Sequence, residues 1–140
     1  MTGKMRWAYV ATAWLFLGSV LLQVFLAGLA LFAGTGFELH RIYGSGLVTL
    51  IALSQIFVAV GAKAGGRNIR QAALLFLLVM IQGGLPVLRD AMPVVAAIHP
   101  MNALLIFWLG VHIARQADAL RRLPIAAELS RVADGLPAQP

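Results

Sequence analysis

Phe37-Glu38-Leu39-His40-Arg41-Ile42-Tyr43-Gly44 marks the point where a short polar loop gives way to an apolar run that continues through Leu47, Ile51, Gln55 and Val58 to Ala62. An α-helix needs about 20 predominantly apolar residues to cross the hydrocarbon core of a bilayer. Positions 42–62 therefore read as a membrane-spanning helix with a histidine, flanked by charges, at its mouth. The rest of the chain repeats that pattern.

Upstream, an apolar run from Trp7 to Ala33 carries only mild polar residues such as Thr12, Ser19 and Gln23, and Gly34-Thr35-Gly36 ends it. The run is too long for the apolar segment of a signal peptide, so it reads as a retained first helix over 7–33. Trp7, Tyr9 and Trp14 near its start suit the membrane interface. Downstream, a basic loop, Lys63 to Arg70, precedes a third apolar run over 71–88 that ends at Arg89-Asp90. A fourth helix starts at His99 or Pro100, because proline is tolerated in a first helical turn and disruptive later, and runs to Arg115. The preceding segment 91–98, which contains Pro93, packs along the interface in this reading; a longer, kinked fourth helix is the alternative. From Gln116 the chain is a polar, basic tail in which Ile125, Leu129 and Val132 recur at i, i+4 and i+7. That stripe predicts a short amphipathic helix on the lipid headgroups, stopped by Gly135 and followed by a disordered end.

Composition agrees with this division. Of 140 residues, 61% are hydrophobic and only 11% charged, against about 25% charged in a soluble domain. The expectation is an all-α integral membrane protein: a four-helix up-down-up-down bundle in residues 1–115 and a tail in 116–140, with the lipid bilayer as its principal partner. Absence of cysteine excludes disulfides, thiolate catalysis, Cys-ligated zinc and iron–sulfur clusters. The net charge of +6 does not indicate nucleic acid, because the basic residues are scattered in loops and the tail without a soluble face to carry them. Lys4, Arg6, Lys63, Arg67, Arg70, Arg115, Arg121, Arg122 and Arg131 all fall on one side of the four-helix topology, and only Arg41 and Arg89 on the other. By the positive-inside rule both termini are cytoplasmic, in a bacterial inner or plasma membrane.

In this topology His40 and His99 lie together at the outer face, on helices that run parallel and sit diagonally across the bundle. Two imidazoles at one depth on separate helices are the minimum set for gripping a haem iron. Gly44 and Ala103 each stand one turn further into the membrane on the histidine's face, leaving room for a flat macrocycle; ordinary close packing is the other account of such small residues. Arg41 and Arg89 sit where propionates would need them, although Glu38 and Asp90 offer each a local partner. Asn102 can orient His99 or cap its helix. Gln23, Gln55 and Gln82 must face inward and hydrogen-bond, because an unpaired amide in hydrocarbon costs several kcal/mol. His112 lies about 20 Å deeper than His99 at 1.5 Å per residue and reads as an interfacial or packing residue. The candidate metal ligands are thus His40 and His99, and no catalytic residue is assigned.

Gln23-Val24-Phe25-Leu26-Ala27-Gly28, then Glu38-Leu39-His40-Arg41, then a histidine opening the fourth helix, resemble one four-helix half of the haem A synthase family. The chain also resembles the small bacterial four-span proteins grouped as domain of unknown function 6220. The synthase resemblance implies histidine ligands at the outer ends of the second and fourth helices, and a homodimer would supply the second half. The synthase's acidic residue stands three positions before its histidine, where this chain has Phe37, and its loop cysteines are absent here. The resemblance therefore implies binding of haem b rather than oxidation of a haem methyl group. Six-coordinate iron suits electron transfer to a redox partner or haem handling. The competing reading is a haem-free membrane protein acting by helix association through Gly28, Gly44, Gly46, Gly83 and Gly84.

Overall fold

Two glycines in left-handed backbone, Gly34 (φ 66°) and Gly36 (φ 72°), stop the first helix and turn the chain back on itself. In the computed structural model, which describes the backbone of residues 2–133 and the side chains of residues 3–123, α1 spans Thr2–Phe32. The chain returns through α2 (Glu38–Tyr43), a single π turn (Gly44–Val48) and α3 (Thr49–Gly61), which together make one rod. A tight turn with Lys63 and Gly65 at positive φ leads into α4 (Gly66–Gly84), extended by a 3-10 turn (Leu85–Leu88). A short α5 (Pro93–Ala96) precedes α6 (Ile98–Ala133). No strand occurs among the described residues.

Four segments are long and apolar enough to cross a membrane: Gly3–Phe32, Glu38–Gly61, Gly66–Leu88 and Pro93–Leu123. Helix α1 packs on α3 and α6, and α4 packs on the same two, while the diagonals α1–α4 and α3–α6 make no close approach. This is the expected up-down-up-down square. In each span only 22–28% of the most apolar window is buried inside the bundle, and the outward positions carry residues such as Phe25, Leu31, Phe57, Leu77 and Leu104. A bundle whose outside is this apolar is built for hydrocarbon, where exposing such residues costs nothing. One end gathers Lys63, Arg67, Arg70 and Arg121, and the other His40 and His99; these are called below the basic end and the histidine end.

The core is narrow. Tyr9, Phe16, Leu75 and Ile113 are its large members, and Ala52, Ala59, Ala72, Ala114 and Ala117 are wholly buried, so the helices approach closely through small side chains. At the basic end Trp14 Nε1 donates to Asp118 Oδ2 (3.2 Å) and the Arg121 guanidinium lies 4.2 Å from the centre of the Trp7 ring, tying α1 to the far part of α6.

All four helices reach further than the apolar runs indicate. The first begins at Thr2 rather than 7, the second at Glu38 rather than 42 and the third at Gly66 rather than 71, because charged residues at a span's end sit among headgroups without interrupting the backbone ladder. A span of 30 residues is about 45 Å long, against about 30 Å of hydrocarbon. At the second helix Glu38 also favours an N-terminus, where negative charge meets the helix dipole. The fourth helix is preceded by α5 and then runs unbroken past Arg115 to Ala133, so the tail expected at 116 continues the helix backbone. The stripe Ile125, Leu129 and Val132 lies beyond the described side chains, and the stop at Gly135 and the expected disorder after it lie outside the described residues.

Gln55 is the exception in the core: it is fully buried, and neither its Nε2 nor its Oε1 has a protein partner. Tyr9, also fully buried, has an unpartnered hydroxyl. Leaving a buried polar group unpaired costs about 1–3 kcal/mol. Gln55→Met, which keeps the shape and removes the amide, is expected to raise the thermal unfolding midpoint in detergent, and an unchanged or lower midpoint would show that the amide is satisfied after all.

Candidate site: a histidine pair at one end of the bundle

His40 lies in the first turn of α2, and its Nδ1 is 3.0 Å from the main-chain oxygen of Gln23 on α1. A carbonyl only accepts, so Nδ1 donates, and in the neutral ring Nε2 keeps the lone pair. The Gln23 side chain returns the contact, its Nε2 donating to the main-chain oxygen of His40 at 2.7 Å. The hairpin α1–α2 is thus locked by a reciprocal pair of bonds between one glutamine and one histidine.

The second half of the chain repeats the arrangement. His99, in the first turn of α6, donates from Nδ1 to the main-chain oxygen of Gln82 on α4 at 3.1 Å. In both hairpins histidine and glutamine are 17 residues apart. The side-chain bonds differ: Gln82 Oε1 accepts from Asn102 Nδ2 (2.8 Å), which also donates to Leu78 O (2.9 Å). Asn102 is buried and faces α4, so it anchors α6 to α4 and makes no bond to His99. The spacing Gln-x16-His, present twice, was the signal in the sequence for this pairing, and it is visible only once both partners are known to bond.

These two hairpins bring the imidazoles together. The ring centroids of His40 and His99 are 6.3 Å apart with their planes at 62°, and Phe37 meets His40 edge-on at 6.1 Å. Both rings are half-buried. With metal–nitrogen bonds of about 2 Å, two imidazoles on opposite sides of one ion place their centroids about 6 Å apart. Among the described residues no group of three or more His, Cys, Asp or Glu could hold a metal ion. Two imidazoles alone would suit only a metal that brings its remaining donors with it, as haem iron does through its macrocycle.

The other sequence candidates take the following places. Arg41 chelates Glu38 (2.8 and 2.9 Å) on the exposed side of α2, and Arg89 lies 3.5 Å from Asp90, also exposed. Gly44 faces Gln23, whose side-chain amide occupies the space a Cβ would need; the glycine admits the glutamine. Ala103 is half-buried one turn from His99. A π turn begins at Gly44, where hydropathy gives no sign of it; Thr49 Oγ1 donates to the Gly44 carbonyl at 3.0 Å, and such turns cluster at functional positions. His112 belongs elsewhere: it stacks on Trp108 (5.9 Å, 7°) and accepts from Gln116 Nε2. On the lipid-facing side of α1 a shallow apolar groove of about 380 Å3 is lined by Phe25, Gly28, Leu29, Phe32 and Ala33.

Residues 23–87 match a model described as a family of unknown function. The matched stretch runs from Gln23 through His40 to beyond Gln82 and ends before His99. No curated protein and no solved structure matches the chain, so the resemblance to haem A synthase has no counterpart in these comparisons.

The two glycines at the π turn distinguish the role of Gln23. A methyl at Gly46 meets nothing, whereas one at Gly44 displaces the Gln23 amide and with it a hydrogen bond that contributes about 1 kcal/mol. Gly44→Ala is expected to be less stable than Gly46→Ala by that amount in chemical denaturation of the detergent-solubilised protein; equal stabilities would mean that the Gln23 amide moves without cost.

Proposed function

We propose that this membrane protein, whose residues 23–87 match the model of DUF6220, a family of unknown function, binds haem b between His40 and His99. The observation that supports the reading is the proximity of the two rings, with centroids 6.3 Å apart, and the hold of a neighbouring main-chain carbonyl on each Nδ1. Metal-bound histidine characteristically donates its other ring N–H to such an acceptor, which fixes the tautomer and raises ligand basicity. His40 and His99 would hold the iron, with Asn102 securing the helix that carries His99 and Ala103 and Gly44 lying one turn further in. Arg41 and Arg89, the basic residues at this end, would turn from their local carboxylates to the propionates. Haem held by these two histidines would supply one-electron redox chemistry, suited to electron transfer or haem handling rather than oxygen chemistry.

The same reading sets the histidine end at the outer face of a bacterial plasma membrane and the basic end in the cytoplasm, because nine of the eleven Lys and Arg residues lie at the latter end or beyond it. The redox partner would then dock from outside. A second reading, association with a second copy without haem, is favoured by one observation: the apolar groove on α1 contains Gly28, and a Cβ there meets nothing within the chain.

Two measurements test these readings. Protein purified in detergent after expression with haem supplied is expected to give a low-spin b-type reduced-minus-oxidised spectrum that both His40→Ala and His99→Ala abolish; a colourless protein of normal stability overturns the haem reading in favour of association. The chain has no cysteine, so single cysteines can report orientation. A cysteine at Thr35 is expected to react with an impermeant maleimide in intact cells and one at Lys63 only after lysis, and the reverse pattern would invert the topology.

A further inference from the structure

At the opposite end of the bundle, a cleft of about 500 Å3 opens between the start of α4 and the outer part of α6, lined by Arg67, Asn68, Gln116, Ala119, Leu120 and Leu123. Its chemistry is divided. Arg67 is exposed, and no carboxylate lies within salt-bridge distance of it among the described residues. Arg70 adds a second cation: its guanidinium folds back over Gly66, 3.7 Å from where a Cβ would stand. Asn68 Nδ2 is spent on the turn, donating to Ala64 O at 2.6 Å. Gln116 gives its Nε2 to His112, and its Oε1 is buried without a protein partner. The nearby carboxylate of Asp118 is engaged by Trp14.

The membrane side of the cleft is apolar. Leu74 stands two turns from Arg67 on the same face of α4, and Trp108 two turns from Gln116 on the same face of α6; both are exposed, and Trp108 stacks on His112. The features run in order along the span: cations at the rim, a buried acceptor beneath them, then an apolar lane in the hydrocarbon layer. A soluble anion uses only the first of these. A ligand that uses all three carries a phosphate, a hydroxyl donor and an acyl chain.

We propose that this cleft is a binding site for an anionic phospholipid with a hydroxylated headgroup, of which phosphatidylglycerol is the simplest. The phosphate lies against Arg67 and Arg70, a headgroup hydroxyl donates to Gln116 Oε1, and an acyl chain follows Leu74 and Trp108. Basic pockets between membrane helices are recognised sites for anionic headgroups. The site differs from the general attraction of the basic end for anionic lipid, because it depends on Gln116 as well as on charge.

The test uses native mass spectrometry of the full-length protein in neutral detergent, with equimolar phosphatidylglycerol and phosphatidylcholine of the same acyl chains. The wild type is expected to retain one phosphatidylglycerol in preference by about fivefold or more, the factor that one basic residue near a membrane surface supplies. Arg67→Gln abolishes the preference and Gln116→Leu weakens it, while Arg122→Gln, the same loss of charge outside the cleft, leaves it intact. Equal retention of the two lipids by the wild type overturns the proposal, as does an equal loss in Arg67→Gln and Arg122→Gln, which would reduce the effect to bulk charge. Displacement of the lipid by millimolar inorganic phosphate would overturn it in favour of a soluble-phosphate site.

Discussion

A histidine N–H aimed at a main-chain carbonyl of the adjacent helix is the contact on which the histidine end of this bundle depends. Inside a bilayer there is no water to satisfy a polar side chain, so an imidazole must find its partner in the protein. The Gln23 and Gln82 carbonyls provide that partner twice. Each bond draws its histidine inward from a helix start that would otherwise point into the headgroups. Each also decides which ring nitrogen keeps its lone pair. Position and tautomer, the two properties a ligand histidine needs, follow from one interaction.

The repetition of that contact describes the bundle as two hairpins that solve the same problem with different side chains. In the first hairpin the glutamine amide bonds straight back to the histidine's own backbone. In the second a separate asparagine takes the glutamine's oxygen and a carbonyl of the preceding turn. The first arrangement requires close approach, which Gly44 permits; the second requires a buried amide one turn along, which Asn102 supplies. The hairpins pack side against side through alanine-rich seams, so the two histidines converge across a diagonal whose helix backbones make no close approach.

The spans and their order were legible in the sequence because hydrocarbon leaves little freedom: a run from Ile42 to Ala62 with Gln55 as its main polar interruption has no other stable placement. The ends were less legible. Lys4, Glu38 and Gln116 look like loop residues by polarity, yet a helix leaving the hydrocarbon meets headgroups that accept charge, so the backbone continues. Grouping His40 with His99 needed only helix order, but their approach to 6.3 Å depends on which face each helix turns inward. That rotation is set by Gln23, Gln82 and the π turn, none of which hydropathy registers. Arg41 illustrates the opposite case: its ion pair with Glu38 was nameable from the sequence, because residues three apart on a helix are neighbours.

The π turn at Gly44–Val48 puts the two halves of the second rod out of phase. One residue more than a regular turn needs is accommodated there, and a residue is worth about 100° of rotation. The half that carries Ile51, Gln55 and Ala59 is held by the core, whereas the half that carries His40 takes its angular setting from the insertion. The two halves are therefore geared differently. Closing the turn to a regular helix would leave the core half engaged and swing the imidazole about a quarter of the way around the axis, towards lipid. The orientation of the histidine is thus set separately from the core packing of the same span, and any change in it would break both bonds to Gln23.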